Sequence, residues 1–437
     1  MGGYSGCNLS YVSHRILEGK PQLEGLPATF ADKETATTLE LTCVDNHIGM
    51  KVLLYYTAFC DTDVIIRSVK IINEGTQAFY LTKVLSACLD MDNQDYEMIS
   101  LHGSWARERH IQRKKVGYGI QKVSSFRGES SHQDHPFLAL VSPSTTQEMG
   151  EVYAMNFVYS GNFQAQAEVS QFDSIRMSMG IHPENFCWKL ERGESFQAPE
   201  VVMVYSSQGL DGMTTAFHHL YKRHLIRGEY KDKKRPILIN NWEATYFDFN
   251  TEKLLSIAKK ASELGIEMLV MDDGWFGKRD DDNSSLGDWF VNEKKLGGTL
   301  SELIDRVHAQ GVKFGIWIEP EMVNEDSNLY REHPDWAIQI PGKLPVRSRN
   351  QLILDFSRKE VRDNIFDQIC AVFDQGKIDY VKWDMNRSMA DVYAGNLAYD
   401  YVLGVYDFME RLVTRYPDIL LCLLYTSPSP RDVEESR

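Results

Sequence analysis

The chain has no Cys-x-x-Cys pair, and its seven cysteines, at 7, 43, 60, 88, 187, 370 and 422, are odd in number and scattered. That argues against a disulfide framework or thiolate metal knot and predicts reduced thiols in a cytoplasmic setting. No stretch reaches the roughly 18 apolar residues of a membrane span. The opening MGGYSGCNLSYVS has no basic segment leading into an apolar one, so it does not read as a secretory leader. Basic charge is short: 47 Lys and Arg against 62 Asp and Glu leave a formal −15. Nucleic acid and anionic membranes are disfavoured as partners, because no surplus of cations exists to displace counterions. A phosphate-cradling P-loop, a GxGxxG turn after a strand and a GxSxG elbow are all missing, which removes the usual sequence support for nucleotide binding or a serine hydrolase. Glycine itself runs out, none following Gly404.

What is present suits packed cores: 43% hydrophobic and 11% aromatic residues over 437 positions, a length that favours two domains. Residues 1–230 read as strands. TLELTCVD (38–45), MKVLLYYTAF (50–59), VIIRSVKIIN (64–73), EVYAMNFVYSGNFQAQAEV (151–169) and APEVVMVYS (198–206) are rich in β-branched and aromatic residues. NEG at 73–75 and YSGN at 159–162 punctuate them with turns. So many strands predict a large sandwich. Met213 to Ile226 has a helical pattern, and the charged GEYKDKKRP (228–236) marks a boundary.

From 231 to 424 the period changes. Leu254, Ile257, Ala258 and Ala261 follow helical spacing up to Gly265, and Leu300, Leu303, Ile304 and Val307 do so up to Gly311. Val361, Ile365 and Ile369 repeat the pattern up to Gly376, with Ser357 and Glu360 at the spacing of a capping box. Each glycine leads into a strand: IEMLVMDDGW, VKFGIWIEPE and KIDYVKWDMN, with PILINNWE (236–243) ahead of them. Serial βα units with polar groups at the strand C-termini predict a (β/α)₈ TIM barrel with its active site at that end. About five strands are countable, LILDF (352–356) being an ambiguous sixth, against eight in a full barrel of about 250 residues. The barrel is therefore expected to be incomplete.

The strand ends carry the chemistry. Asp272 and Asp273 in MLVMDDGWF accept hydroxyls, which suits neighbouring hydroxyls of a sugar; a loop cap, or a metal site with Glu319 and Glu321, are the other readings. Trp317 and Trp242 read either as faces for a sugar ring or as packing, Trp383 as outward packing, and Trp275 stays open. In YVKWDMNR (380–387), alternation puts Tyr380, Lys382 and Asp384 on one side and Val381, Trp383 and Met385 on the other. Lys382 and Asp384 make either a structural ion pair or a functional one, in which the cation keeps Asp384 ionised as the nucleophile of a retaining glycosidase. Arg349, in RSRNQLILDFS, is a forked donor to ligand oxygens or a surface arginine. HQDH (132–135) reads as polar loop rather than a metal pair.

These blocks have a family likeness. NNWEATYFDFN (240–250), LVMDDGWFGKR (269–279), SLGDWFVNEKKL (285–296), GIWIEPEMV (315–323), RNQLILDFSRKEV (349–361) and YVKWDMNR (380–387) together resemble the α-galactosidases of glycoside hydrolase family 36. WARERH (105–110), SSHQ (130–133) and YSGNFQAQAEVSQFD (159–173) resemble that family's N-terminal β-supersandwich. The resemblance implies a supersandwich at 1–230, a catalytic barrel at 231–424, and retaining hydrolysis of terminal α-galactosides such as melibiose and raffinose, without cofactor or metal. It makes Asp384 the nucleophile, Asp272 and Asp273 the partners of galactose hydroxyls, and Trp317, Arg349, Lys382 and Trp242 the rest of that subsite. Proteins of this kind are often homo-oligomers, tetramers among them. The family also holds galactosyltransferases of the raffinose-synthase type, and a non-catalytic galactoside-binding fragment is a further reading.

The likeness stops after DILLCLL (418–424). There the family continues with a cysteine, a glycine-rich loop and the aspartate that serves as general acid/base, whereas this chain reads YTSPSPRDVEESR (425–437). Nothing around Asp432 matches, so the role is not carried to it. The expectation is a fragment truncated at both ends, with a foreign, disordered tail at 425–437. Such a chain would be poorly soluble and inactive for want of the acid.

Overall fold

The computed structural model describes residues 6–104 and 107–423; Trp105, and the tail at 425–437 with Asp432, lie outside the described residues. The chain forms two units, one comprising the residues up to Ile226 with Ala394–Tyr399, the other Arg227–Tyr393 and the residues from Asp400 on.

In the first unit the β-rich runs build a ten-stranded antiparallel sheet. Its order is Ser10–Glu18, Ala36–Asp45, Met50–Phe59, Val64–Asn73, Val201–Ser206, Val152–Phe157, Phe137–Val141, Glu97–Ser104 and Arg107–Lys115, with Ser195–Gln197 attached to Val64–Asn73. Alternation turns Val64, Ile66, Ala139, Val202 and Val204 to one core, which the helix Gly209–His224 covers with Met213, Phe217 and Leu220. The run 151–169 divides between sheets. Val152–Phe157 joins the large one, while Phe163–Val169 pairs in a three-stranded sheet with Ser174–Ile181 and Leu85–Asp92. The YSGN turn is thus a crossing from one layer of a sandwich to the other.

The second unit alternates helix and strand. Strands β1 (Leu238–Asn240), β2 (Met268–Met271), β3 (Lys313–Ile318), β4 (Tyr380–Trp383) and β5 (Leu420–Leu423) pair in that order, all parallel. Helices α1 (Thr251–Glu263), α2 (Leu300–His308) and α3 (Lys359–Phe373) make the first three crossovers, since parallel neighbours cannot be joined by a tight turn. Strands covered on both faces need apolar side chains throughout, and MLVM of β2 and FGIWI of β3 are wholly buried. The helices bury the expected stripes, except that Leu255 is buried where Ile257 is only partly so. This is the sheet of a TIM-barrel-like domain, five parallel strands among the described residues.

Two local expectations are corrected. Arg358, not Ser357, precedes the first turn of α3, and the Ser357 hydroxyl instead donates to Asp355 at 2.5 Å. A capping box does occur at α2, where Thr299 and Glu302 exchange side-chain and backbone bonds. Leu352–Ile353, the ambiguous sixth strand, pairs antiparallel with Met322–Val323 in a separate ribbon and leaves the parallel sheet alone. Among the described residues no helix is long and apolar enough to cross a membrane.

Candidate active site

The site is laid out by register. Met271 of β2 is level with Ile316 of β3, and Trp317 is level with Lys382 of β4. Asp272, Trp317 and Lys382 therefore stand at one height. In a barrel the side chains of one layer come from alternate strands, and Lys382 reaches past β3 to Asp272, its Nζ 2.7 Å from Oδ2. This corrects the expected ion pair: the partner of Lys382 is Asp272, not Asp384. Burial opposes the charge on Lys382, but Asp272 first and Asp384 second outweigh it and raise the ammonium pKa. Asn240, at the end of β1, donates to the same Asp272 oxygen at 2.5 Å, and its own Oδ1 accepts from the Trp242 backbone N–H at 2.7 Å.

After Asp273 the chain turns at Gly274, whose φ of +109° lies outside the reach of ordinary side chains. A Cβ there would sit 3.0 Å from the Phe247 ring. Asp273 is gripped by a buried Arg279, with Nε 3.0 Å from Oδ1 and Nη2 2.8 Å from Oδ2. The free side of the guanidinium is held by Asn324 and the Ser284 carbonyl. Burial pushes the Asp273 carboxyl above its ordinary value despite Arg279, with Asp272 and Asp384 adding to the rise.

Asp384 follows β4 directly. Its Oδ2 accepts from Trp317 Nε1 at 3.1 Å and from Asn386 Nδ2 at 2.9 Å, and its Oδ1 from the Met385 N–H at 2.9 Å. Its own N–H donates to Ile318 of β3 at 2.8 Å. Asp384 is only 6% exposed, so its carboxylate is oriented by the three bonds it accepts and its backbone is anchored by the fourth. Arg349 is exposed, at φ +52°, and reaches this group indirectly by donating to Asn386 Oδ1 at 2.5 Å.

The tryptophans divide by role. Trp317 is 1% exposed and lies parallel to Phe276, at 8° and 6.1 Å; it presents its N–H, not its face, to Asp384, which corrects the stacking role expected for it. Trp275 is fully buried and donates to the Trp317 carbonyl at 2.9 Å. Trp383 packs edge-on against Phe408 and donates to Glu321 at 2.9 Å. Of these four only Trp242 is partly open, edge-on to Tyr246 and Phe247 at 5.3 and 5.0 Å.

Glu319 directly follows β3 and is fully buried. Its Oε1 accepts from the Asn386 N–H at 2.5 Å and from Gln351 Nε2 at 3.0 Å, while Oε2 has no hydrogen-bond partner. Burial first, and Asp384 next, push its pKa up to about 8. Glu321 turns the other way, both oxygens being taken by Trp383 and the Tyr401 hydroxyl. The two glutamates do not converge as a metal site would require, and among the described residues no group of three or more His, Cys, Asp or Glu is placed to hold a metal ion.

The profile of the Melibiase family matches residues 195–424, and that of the glycosyl hydrolase family 36 N-terminal domain matches residues 1–191. The chain belongs to glycoside hydrolase family 36. It is 56% identical over 96% of its length to the bifunctional α-galactosidase/sucrose kinase AgaSK of Mediterraneibacter gnavus, covering 45% of that protein. It is 51% identical to the α-galactosidase Mel36A of Lactobacillus acidophilus, covering 58% of it. It thus spans about half the length of these curated relatives. A family 36 structure, a variant of AgaA from Geobacillus stearothermophilus in complex with raffinose, superposes on 96% of the chain with a TM-score of 0.95 at 49% identity, and the match covers 60% of that chain.

The structure joins Asp272, Asp273, Lys382, Trp317 and Asp384 through first-hand bonds or shared layers, and brings in Arg349 and Trp242 through Asn386 and Asn240. Sequence reasoning assigned no role to Arg279, Asn240, Asn386 or Gln351. For Arg279 a signal existed: a cation six residues beyond an aspartate pair, in the family 36 block LVMDDGWFGKR.

Proposed function

We propose that this chain carries the galactose site of a retaining α-galactosidase, with Asp384 as nucleophile, acting on terminal α-galactosyl residues of raffinose-type oligosaccharides. The observation that carries the reading is the placement of Asp384 under three N–H donors, close enough to the Lys382–Asp272 and Asp273–Arg279 pairs for its charge to act on both Lys382 and Asp273. A neutral sugar offers hydroxyl donors and acceptors. The buried carboxylates of Asp272 and Asp273 keep lone pairs for them, and Lys382 has three donors of which one is engaged with Asp272. With the ring so held, a carboxylate oxygen at 384 attacks the anomeric carbon, a glycosyl ester forms, and the leaving oxygen departs with a proton from a second carboxyl, which then activates water. The relatives' complexes with raffinose and stachyose support this substrate class.

The test is α-galactosyl fluoride, whose leaving group departs without a proton donor, so that cleavage reports on Asp384 whichever group supplies the acid. The expected result is fluoride release and a galactosyl adduct on the peptide containing Asp384, both lost in Asp384→Asn. Fluoride release by Asp384→Asn at the parent rate overturns the proposal, as does silence of the parent chain.

A further inference from the structure

We propose that Glu319 is a positioning residue that works as a neutral carboxylic acid, fixing the Asn386 loop and through it Asp384, and that loss of its proton sets the alkaline limit of the glycosylation step. The proposal rests on the function proposed above and adds to it a residue that touches no substrate.

The geometry begins at the end of β3. Glu319 Oε1 holds the backbone N–H of Asn386, and the Asn386 side chain in turn donates to Asp384 Oδ2 and accepts from Arg349. The second donor to that oxygen, Gln351, is itself fixed through its carbonyl by Arg387 at 2.7 Å. One oxygen of Glu319 therefore determines where the residue that orients the nucleophile can stand.

The other oxygen determines the charge. Oε2 is buried and meets no donor. A bare anionic oxygen in such a place costs far more than a carboxylic acid does. The charges that face Glu319 point the same way: Asp384 on β4 and Asp273 at the end of β2 both oppose a further anion. The nearby cations are engaged elsewhere, Lys382 with Asp272, Arg279 with Asp273 and Arg349 with Asn386, while Arg387 holds the carbonyls of Val346 and Gln351. Glu321, on the same segment, is occupied by Trp383 and Tyr401. With a pKa near 8, Glu319 keeps its proton at neutral pH and leaves Asp384 as the anion of the pair. Above that value two like charges share a dry site, and the Asn386 loop relaxes.

The experiment follows α-galactosyl fluoride cleavage against pH for the parent chain, Glu319→Gln and Glu319→Ala. The parent rate is expected to fall above about pH 8. Glu319→Gln keeps an acceptor oxygen and cannot ionise, so it stays within about tenfold of the parent at neutral pH and loses the alkaline fall. Glu319→Ala frees the loop and lowers kcat about a hundredfold with little change in KM. An alkaline fall that persists in Glu319→Gln, or a Glu319→Ala variant as fast as the parent, overturns the proposal.

Infrared spectra of glutamate-labelled protein give a readout independent of turnover. The parent-minus-Glu319→Gln difference spectrum is expected to show the carbonyl band of a protonated carboxyl at neutral pH, any band common to both belonging to other glutamates such as Glu321, and a difference spectrum without that band overturns the proposal even if Glu319→Ala fails to fold. A parent chain whose band is lost in Glu319→Gln but which cleaves no fluoride defeats the function proposed above and leaves the neutral Glu319 standing.

Discussion

Lys382 Nζ stands 2.7 Å from Asp272 Oδ2, across the intervening β3, rather than against Asp384 two positions along its own strand. The bond ties the strand that ends in the proposed nucleophile to the strand that ends in the hydroxyl-binding pair. Both halves of the site thus share one anchored layer.

Removing the cation alone should expose that coupling. Lys382→Met leaves Asp272 buried with its charge uncompensated, and breaking such a pair costs about 3–5 kcal/mol. Urea unfolding should show the loss, and the double variant Lys382→Met/Asp272→Asn should recover part of it, a non-additive result diagnostic of direct contact.

Arg279 should not be replaceable by lysine. Its fork contacts both oxygens of Asp273 and leaves an N–H group for Asn324, a geometry that an ammonium cannot reproduce. Arg279→Lys is expected to lower affinity for galactose about tenfold, roughly the 1.4 kcal/mol of a weakened charged hydrogen bond. Titration calorimetry checks it.

Trp317→Phe separates the ring from its N–H. The phenyl ring can still lie along Phe276, whereas Asp384 loses one donor. A hydrogen bond to a charged group contributes about 1.5–3 kcal/mol, so the rate of galactosyl fluoride cleavage should drop by about 10- to 100-fold, with KM moving far less than kcat.

Stability should fall as pH rises across the neutral range. The folded state raises the Glu319 pKa from 4.5 to about 8, so it binds a proton that the unfolded chain has released. The protonated carboxyl's contribution is complete below about pH 4.5 and is lost progressively up to about pH 8. Asp273 and Glu321, both raised by burial, act in the same direction. Urea midpoints measured against pH should slope downward in the parent and less steeply in Glu319→Gln.

Much of this was legible in the sequence because it is local. Helical stripes ending at Gly265, Gly311 and Gly376 fixed the crossovers, and apolar runs ending in DD, E and D fixed which strand tips carry charge. What was not legible is relative placement. Lys382 and Asp384 are close in sequence and share a face, which suggested a pair; the actual pairing depends on how β2, β3 and β4 align, and that is set by packing over the whole sheet. Trp317 looked like a stacking platform for the same reason, since whether an indole offers its face or its edge depends on what Phe276 does across the layer. Asn240, Asn386 and Gln351 carried no signal, because an uncharged amide becomes a site residue only through the partners that the fold brings to it.

The alignment of β3 with its neighbours has a further consequence, which is one of parity. Trp317 and Glu319 serve the site because both stand an even number of steps from each other on a strand whose side chains alternate. Adding or deleting one residue within β3 would exchange them for Ile316, Ile318 and Pro320, turning indole and carboxyl toward the helices in a single stroke. A one-residue insertion or deletion is therefore expected to be tolerated in the connections and to abolish the site when placed within β3.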